Sequence, residues 1–79
     1  MPHIVIKLYP GRTMEQKRAI AIPVGKALSE ATGIALEHIS VSIEHVEKQT
    51  WDECIRKGEL VTKAEDIVIP EFTKPEDWK

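Results

Sequence analysis

A single cysteine, Cys54, stands in this chain of 79 residues. No internal disulfide can form, and a zinc site built on several thiolates is excluded. A lone thiol fits a reducing compartment. No stretch approaches the ~20 apolar residues that a membrane helix needs. The opening Met-Pro-His-Ile has neither the basic segment nor the long apolar run of a secretory signal. An excess of one charge is lacking too: the net charge is −2, with acids and bases interspersed. That balance argues against nucleic acid or an anionic membrane as main partner. Internal repeats and low-complexity tracts are absent. A cytoplasmic, soluble chain forming a single domain over residues 1–79 is expected.

What is present sorts into a short succession of elements. Residues 3–9 read as a strand, because Ile4, Ile6 and Leu8 recur at period two among β-branched neighbours. Pro10-Gly11 stops it. Thr13-Met14-Glu15-Gln16 fits a capping box. A helix should follow to about residue 32 and end at Gly33, a natural left-handed C′ residue. Its apolar stripe is expected at Ile20, Val24, Ala27, Leu28 and Ala31. Pro23 lies inside and should kink it. Residues 39–46 alternate cleanly, with Ile39, Val41 and Ile43 set against Ser40, Ser42 and Glu44.

Two short strands joined by a long helix make a βαβ unit of the α/β class, with parallel strands and a right-handed crossover. Thr50-Trp51-Asp52-Glu53 is a second possible capping box, opening a short helix to about Lys57 that Gly58 ends. Ile67-Val68-Ile69 looks extended up to Pro70, and residues 71–79 look like a tail in which Trp78 can dock on a neighbouring subunit.

One helix over two strands leaves a sheet face uncovered and both edges open. A domain this small also buries only about 60% of the surface its unfolded chain exposes. Homo-oligomerisation is therefore expected, the second copy completing the sheet.

Several side chains invite a chemical reading. His3, His38 and His45 suggest a metal, but they fall on two strands and a loop and share no ligand spacing, so a structural or surface role is preferred. Cys54 is a conceivable nucleophile. Its acidic neighbours Asp52 and Glu53 speak against a thiolate, and a buried structural thiol is the expectation. Those two acids suit the first turn of a helix.

Pro2 is different. Proline at position two commonly follows Met1 removal, which exposes a prolyl secondary amine. An ordinary α-amino group titrates near about 7.7–8.0. An apolar pocket and a nearby guanidinium both disfavour its protonated form. Such an amine is a neutral base near pH 7, where general-base catalysis is most effective. On position alone, a Met-Pro start is also compatible with no function at all.

Pro2, the strand behind it, Gly11-Arg12-Thr13 and then Glu15-Gln16-Lys17 opening a long helix resemble the 4-oxalocrotonate tautomerase family. The likeness covers roughly residues 2–51. It implies that Pro2 is the base, that Arg12 holds a substrate carboxylate and that Trp51 forms an apolar pocket wall. The family's second arginine is missing, and Ser40 stands in its place, where the resemblance implies a substrate-binding residue. Ser40, Trp51, the Pro-His-Ile opening and the longer C-terminal segment look closer to the phenylpyruvate-tautomerase-like branch. That branch implies a monocarboxylic 2-oxo acid or its enol as substrate, and a dimer, with a hexamer as the alternative. No cofactor and no metal are implied. Two other readings stay open: a hydratase or dehalogenase acting on an unsaturated acid, with Glu44 or Glu47 positioning water, and a non-catalytic oligomeric binding protein of the same fold.

Overall fold

The computed structural model describes residues 1–78. The chain divides into two compact units, Met1–Glu47 and Lys48–Lys79.

In the first unit, strand β1 spans His3–Leu8, helix α1 spans Met14–Thr32 and strand β2 spans Ser40–His45. The strands are parallel and in register from His3 opposite Ser40 to Leu8 opposite His45. They form a two-stranded sheet. A short 3-10 turn, Leu36–His38, leads into β2.

The helix ends follow their local signals. The Gln16 amide donates to Thr13 Oγ1 at 3.2 Å, and the Thr13 amide donates to Gln16 Oε1 at 2.9 Å. This reciprocal capping box satisfies two of the amides that a helix start leaves unpaired. Gly33 adopts the left-handed conformation (φ 79°), and its amide donates to the Ser29 carbonyl at 2.8 Å. Only glycine takes that geometry without steric cost. The helix runs through Pro23 as one element.

Alternation sorts the sheet into two faces. Ile4, Ile6 and Leu8 share one face with Val41 and Ile43, and the opposite face carries His3, Val5 and Lys7 beside Ser40, Ser42 and Glu44. α1 packs on the aliphatic face, where Gly25 is buried against Val41. The helix face turned inward differs from the expected stripe. Ile20, Val24 and Leu28 are half-buried as expected, but Ala27 and Ala31 are exposed, and Ala21 and Gly25 take the inner positions. Lys17, Ile20, Ala21, Val24, Gly25 and Leu28 follow the i, i+3, i+4 rows of a single stripe. Hydropathy alone favoured Ala27 over glycine. Gly25 falls inward because it shares the i, i+3, i+4 row with Ala21 and Leu28.

Ile4, Ile6, Leu8, Val41 and Ile43 are only half-buried. Each realises only part of the roughly 1.5–3 kcal/mol that full burial of an aliphatic side chain gives. Val5, on the uncovered face, is 45% exposed. Its Lys7 neighbour approaches Glu44 at 4.0 Å.

The second unit is helical. After a 3-10 turn at Lys48–Thr50, the chain enters a π-helix, Asp52–Glu59, that continues as an α-helical turn, Leu60–Thr62. Gly58 was expected to end this helix and does not. The wider i→i+5 winding brings the Glu53 carbonyl to 2.9 Å from the place a Cβ on Gly58 would occupy. Glycine here makes room for the winding. Ile55, 7% exposed, is the only buried large apolar side chain among the described residues.

Cys54 is exposed, which corrects the buried thiol expected for it. It sits one position before the buried Ile55.

Arg56 organises the segment behind the helix. Its Nη1 donates to Asp52 Oδ1 at 3.1 Å, its Nε donates to Glu71 Oε1 at 3.1 Å, and its guanidinium lies 5.6 Å from the centroid of the Phe72 ring. The hydrogen bond and charge of Glu71, with Asp52 behind them, raise the Arg56 pKa above its usual value. The expected tail therefore begins with two residues tied to the helix. Ile67 is extended (φ −80°, ψ 111°), as expected, but joins no strand among the described residues. Trp78 is 53% exposed. No helix of the described residues is long and apolar enough to cross a membrane.

Candidate active site

The start of the sheet gathers two of the four residues singled out by sequence. Pro2 is half-buried and immediately precedes β1. Its carbonyl accepts a hydrogen bond from the Ser40 amide at 3.2 Å, which extends the parallel ladder by one rung. Ser40 is also opposite His3, and its Oγ lies 2.6 Å from His3 Nδ1. Pro2, His3 and Ser40 thus form one hydrogen-bonded corner. Met1, 95% exposed, projects from it.

Arg12 lies at the other end of the same strand. The Val46 amide closes the ladder there by donating to the Leu8 carbonyl at 2.8 Å. Gly11 (φ 114°) turns the chain, and Arg12 Nη1 donates to the Tyr9 carbonyl at 3.2 Å. The guanidinium is exposed, and this one bond leaves most of its donor fork available. At about 3.3 Å per residue, the extended chain separates Pro2 from the Tyr9 carbonyl by roughly 20 Å. Pro2 and Arg12 of one chain therefore cannot hold the same small molecule.

Trp51, half-buried, opens the helix of the second unit. Arg56, the cation nearest to it in sequence on that helix, is committed to Asp52 and Glu71.

The histidines are dispersed. His3 starts β1, His38 ends the 3-10 turn before β2 and His45 ends β2. No group of three His, Cys, Asp or Glu that could hold a metal ion occurs among the described residues.

His3 reads in the sequence as a structural or surface residue in preference to a metal ligand. Its tie to Ser40 depends on strand register. The available signal was that both residues open their strands on the polar side of the alternation.

The family model described as tautomerase enzyme matches residues 2–64, so the match begins at Pro2. A probable tautomerase of Bacillus cereus is 48% identical over 51 residues, which cover 65% of this chain and 84% of that protein. The 2-hydroxymuconate tautomerase of Bacillus subtilis is 44% identical over 51 residues, 65% of this chain and 82% of its own. A probable tautomerase of Streptococcus pneumoniae is 36% identical over 63 residues, covering 80% of this chain and all of that protein. No solved structure gave a significant match. The chain belongs to the tautomerase family, whose members are isomerases that interconvert keto and enol forms.

Proposed function

We propose that this protein interconverts the enol and keto forms of a monocarboxylic 2-oxo acid, with the amino-terminal nitrogen of Pro2 as general base after Met1 is removed. The observation that carries this reading is the position of Pro2. Its carbonyl is fixed by Ser40 on the first rung of the sheet, so the ring and its nitrogen start from a rigid element. A base held this way has little orientational entropy left to lose when substrate arrives.

The proton moves between oxygen and carbon. The neutral nitrogen takes the enol hydroxyl proton and returns it to the adjacent carbon, and the reverse reaction begins at that carbon. Arg12 offers its remaining N–H groups to the substrate carboxylate in a charge-assisted, bidentate pair. The same guanidinium favours negative charge developing on the oxygen. No metal or organic cofactor is required for this proton transfer, because protein groups supply both the base and the charge.

The separation of roughly 20 Å between Pro2 and the arginine turn of one chain supports a site built from two copies, Pro2 from one and Arg12 from another. The uncovered sheet face and open edges favour the same conclusion. A dimer is the preferred assembly and a hexamer the alternative. Trp51 is assigned as an apolar wall on the resemblance alone, since it stands in the second unit. The monocarboxylic substrate rests on Ser40 replacing a second arginine and on Arg56 being held by its acidic neighbours.

The test is ketonisation of phenylpyruvate enol by the processed chain. Pro2→Ala should lower kcat/KM by about tenfold to a thousandfold, the scale of a general-base contribution, with the fold unchanged by circular dichroism. A dicarboxylic dienol should turn over more slowly than the monoacid. An unimpaired Pro2→Ala enzyme would remove the proline base.

A further inference from the structure

The corner at Pro2 contains one polar side-chain contact that the proton transfer does not use. Ser40 reaches the chain on both sides of the Pro2–His3 peptide. Its amide donates to the Pro2 carbonyl at 3.2 Å, and its hydroxyl meets His3 Nδ1 at 2.6 Å. The first contact is an ordinary ladder bond that any residue but proline would make. The second belongs to the side chains. It is within hydrogen-bond distance, and it joins the two residues that open their strands.

We infer that Ser40 is a positioning residue, which with His3 clamps the amino-terminal proline in one orientation, and that its hydroxyl is not a ligand for substrate. This rests on the reading of Pro2 as base. Without the side-chain bond, Pro2 and His3 would be held only by terminal ladder hydrogen bonds, and chain ends fray first. The Ser40–His3 bond closes the end of the ladder and restricts the backbone that aims the prolyl nitrogen.

The hydroxyl suits this role in either state of the imidazole. It donates to a neutral Nδ1 and accepts from a protonated one, so the clamp does not depend on the charge of His3. A hydroxyl whose proton is donated to a neutral ring has none to offer an incoming carboxylate. The residue that occupies the place of a substrate-binding cation has therefore been turned toward the protein itself.

The experiment measures kcat and KM for ketonisation of phenylpyruvate enol by the processed full chain. The variants are Ser40→Ala, Ser40→Thr, Ser40→Val, His3→Asn and His3→Gln, with Ser40→Ala repeated in the Pro2→Ala background. Ser40→Ala should lower kcat about three- to tenfold, the scale of one hydrogen bond, with KM changed less than about twofold. Threonine should restore most of the loss. Valine, isosteric with threonine but without the hydroxyl, should not, and this pair stands if alanine weakens the strand. His3→Asn keeps a polar atom near the Nδ1 position and should outperform His3→Gln, which keeps one near Nε2. In the Pro2→Ala background, Ser40→Ala should change nothing further.

A raised KM with unchanged kcat in Ser40→Ala would make the hydroxyl a substrate ligand and overturn the inference. An equal loss in the Pro2→Ala background would overturn it as well. A crippled Pro2→Ala enzyme beside a fully active Ser40→Ala enzyme defeats the positioning role alone. A Pro2→Ala enzyme as fast as the unaltered chain defeats the base itself, and the clamp with it.

Discussion

Pro2 and Arg12 stand at opposite ends of one parallel strand, the first tied to Ser40 and the second to the Tyr9 carbonyl. Six residues of β1 lie between them. The strand is a spacer of roughly 20 Å, long enough that Pro2 and Arg12 can serve one site only if they come from different chains.

That geometry predicts complementation. Pro2→Ala should leave a primary amine of different basicity and turn over slowly, and Arg12→Ala should bind substrate weakly through a raised KM. Co-expression of the two variants in one cell gives mixed dimers. One site of each mixed dimer carries both substitutions, and the other carries neither. Random assembly leaves about a quarter of all sites intact, so activity should rise well above that of either variant alone. If the mixture is as inactive as its parents, both residues serve the site of their own chain.

Removal of Met1 is the second point of test. While Met1 is attached, the Pro2 nitrogen is an amide whose lone pair is delocalised into the peptide bond. It cannot take a proton. The unprocessed chain should fold and associate normally yet be nearly inactive, and cleavage by a methionine aminopeptidase should restore the rate. The side chain of Met1 is 95% exposed, consistent with access to such an enzyme. Intact mass identifies the two forms in a single ketonisation assay. Equal rates would redirect attention to Cys54, His3 or His45.

Gly25 offers a stability prediction with an unexpected sign. It is buried in the middle of α1, where replacement of a glycine commonly causes a clash. A Cβ there would stand 3.7 Å from Val41 Cγ2, an ordinary van der Waals contact. Alanine is favoured over glycine inside a helix by roughly 0.5–1 kcal/mol. Gly25→Ala should therefore stabilise the protein by about that amount. Chemical denaturation at fixed protein concentration measures it, and a clear loss of stability would mean that helix and sheet are closer than 3.7 Å implies.

Gly58 should respond in the opposite direction. A Cβ at this position would lie 2.9 Å from the Glu53 carbonyl oxygen, a contact with backbone that cannot swing away. Gly58→Ala should cost about 1–3 kcal/mol, the usual scale of overpacking. In an α-helical winding the same substitution would be favourable by helix propensity. The sign of the change thus reports which winding the segment adopts.

Much of the first unit was legible because its signals are local. The Thr13–Gln16 box lies within one turn, and Gly33 ends the helix through its own backbone freedom. The strands announce themselves by alternation, and a helix between two short strands dictates parallel pairing. The match between the Pro2 and Gly11-Arg12-Thr13 pattern and the family is likewise a property of the linear sequence.

Tertiary contacts decided the rest. Which face of α1 turns inward was set by packing against the sheet, which placed Gly25 beside Val41 and left Ala27 exposed. Gly58 carries the same sequence signal as Gly33, but i→i+5 winding carried the helix past it. Cys54 stands outside because Ile55 took the buried position. The tie between His3 and Ser40 links residues 37 apart in sequence. A shift of one residue in strand register would have sent the two side chains to opposite faces. Local sequence determined which elements form and where they end, because capping, turn and alternation energies act within a few residues. Register and helix approach settled which side chains meet, because those energies arise only when distant segments are packed together.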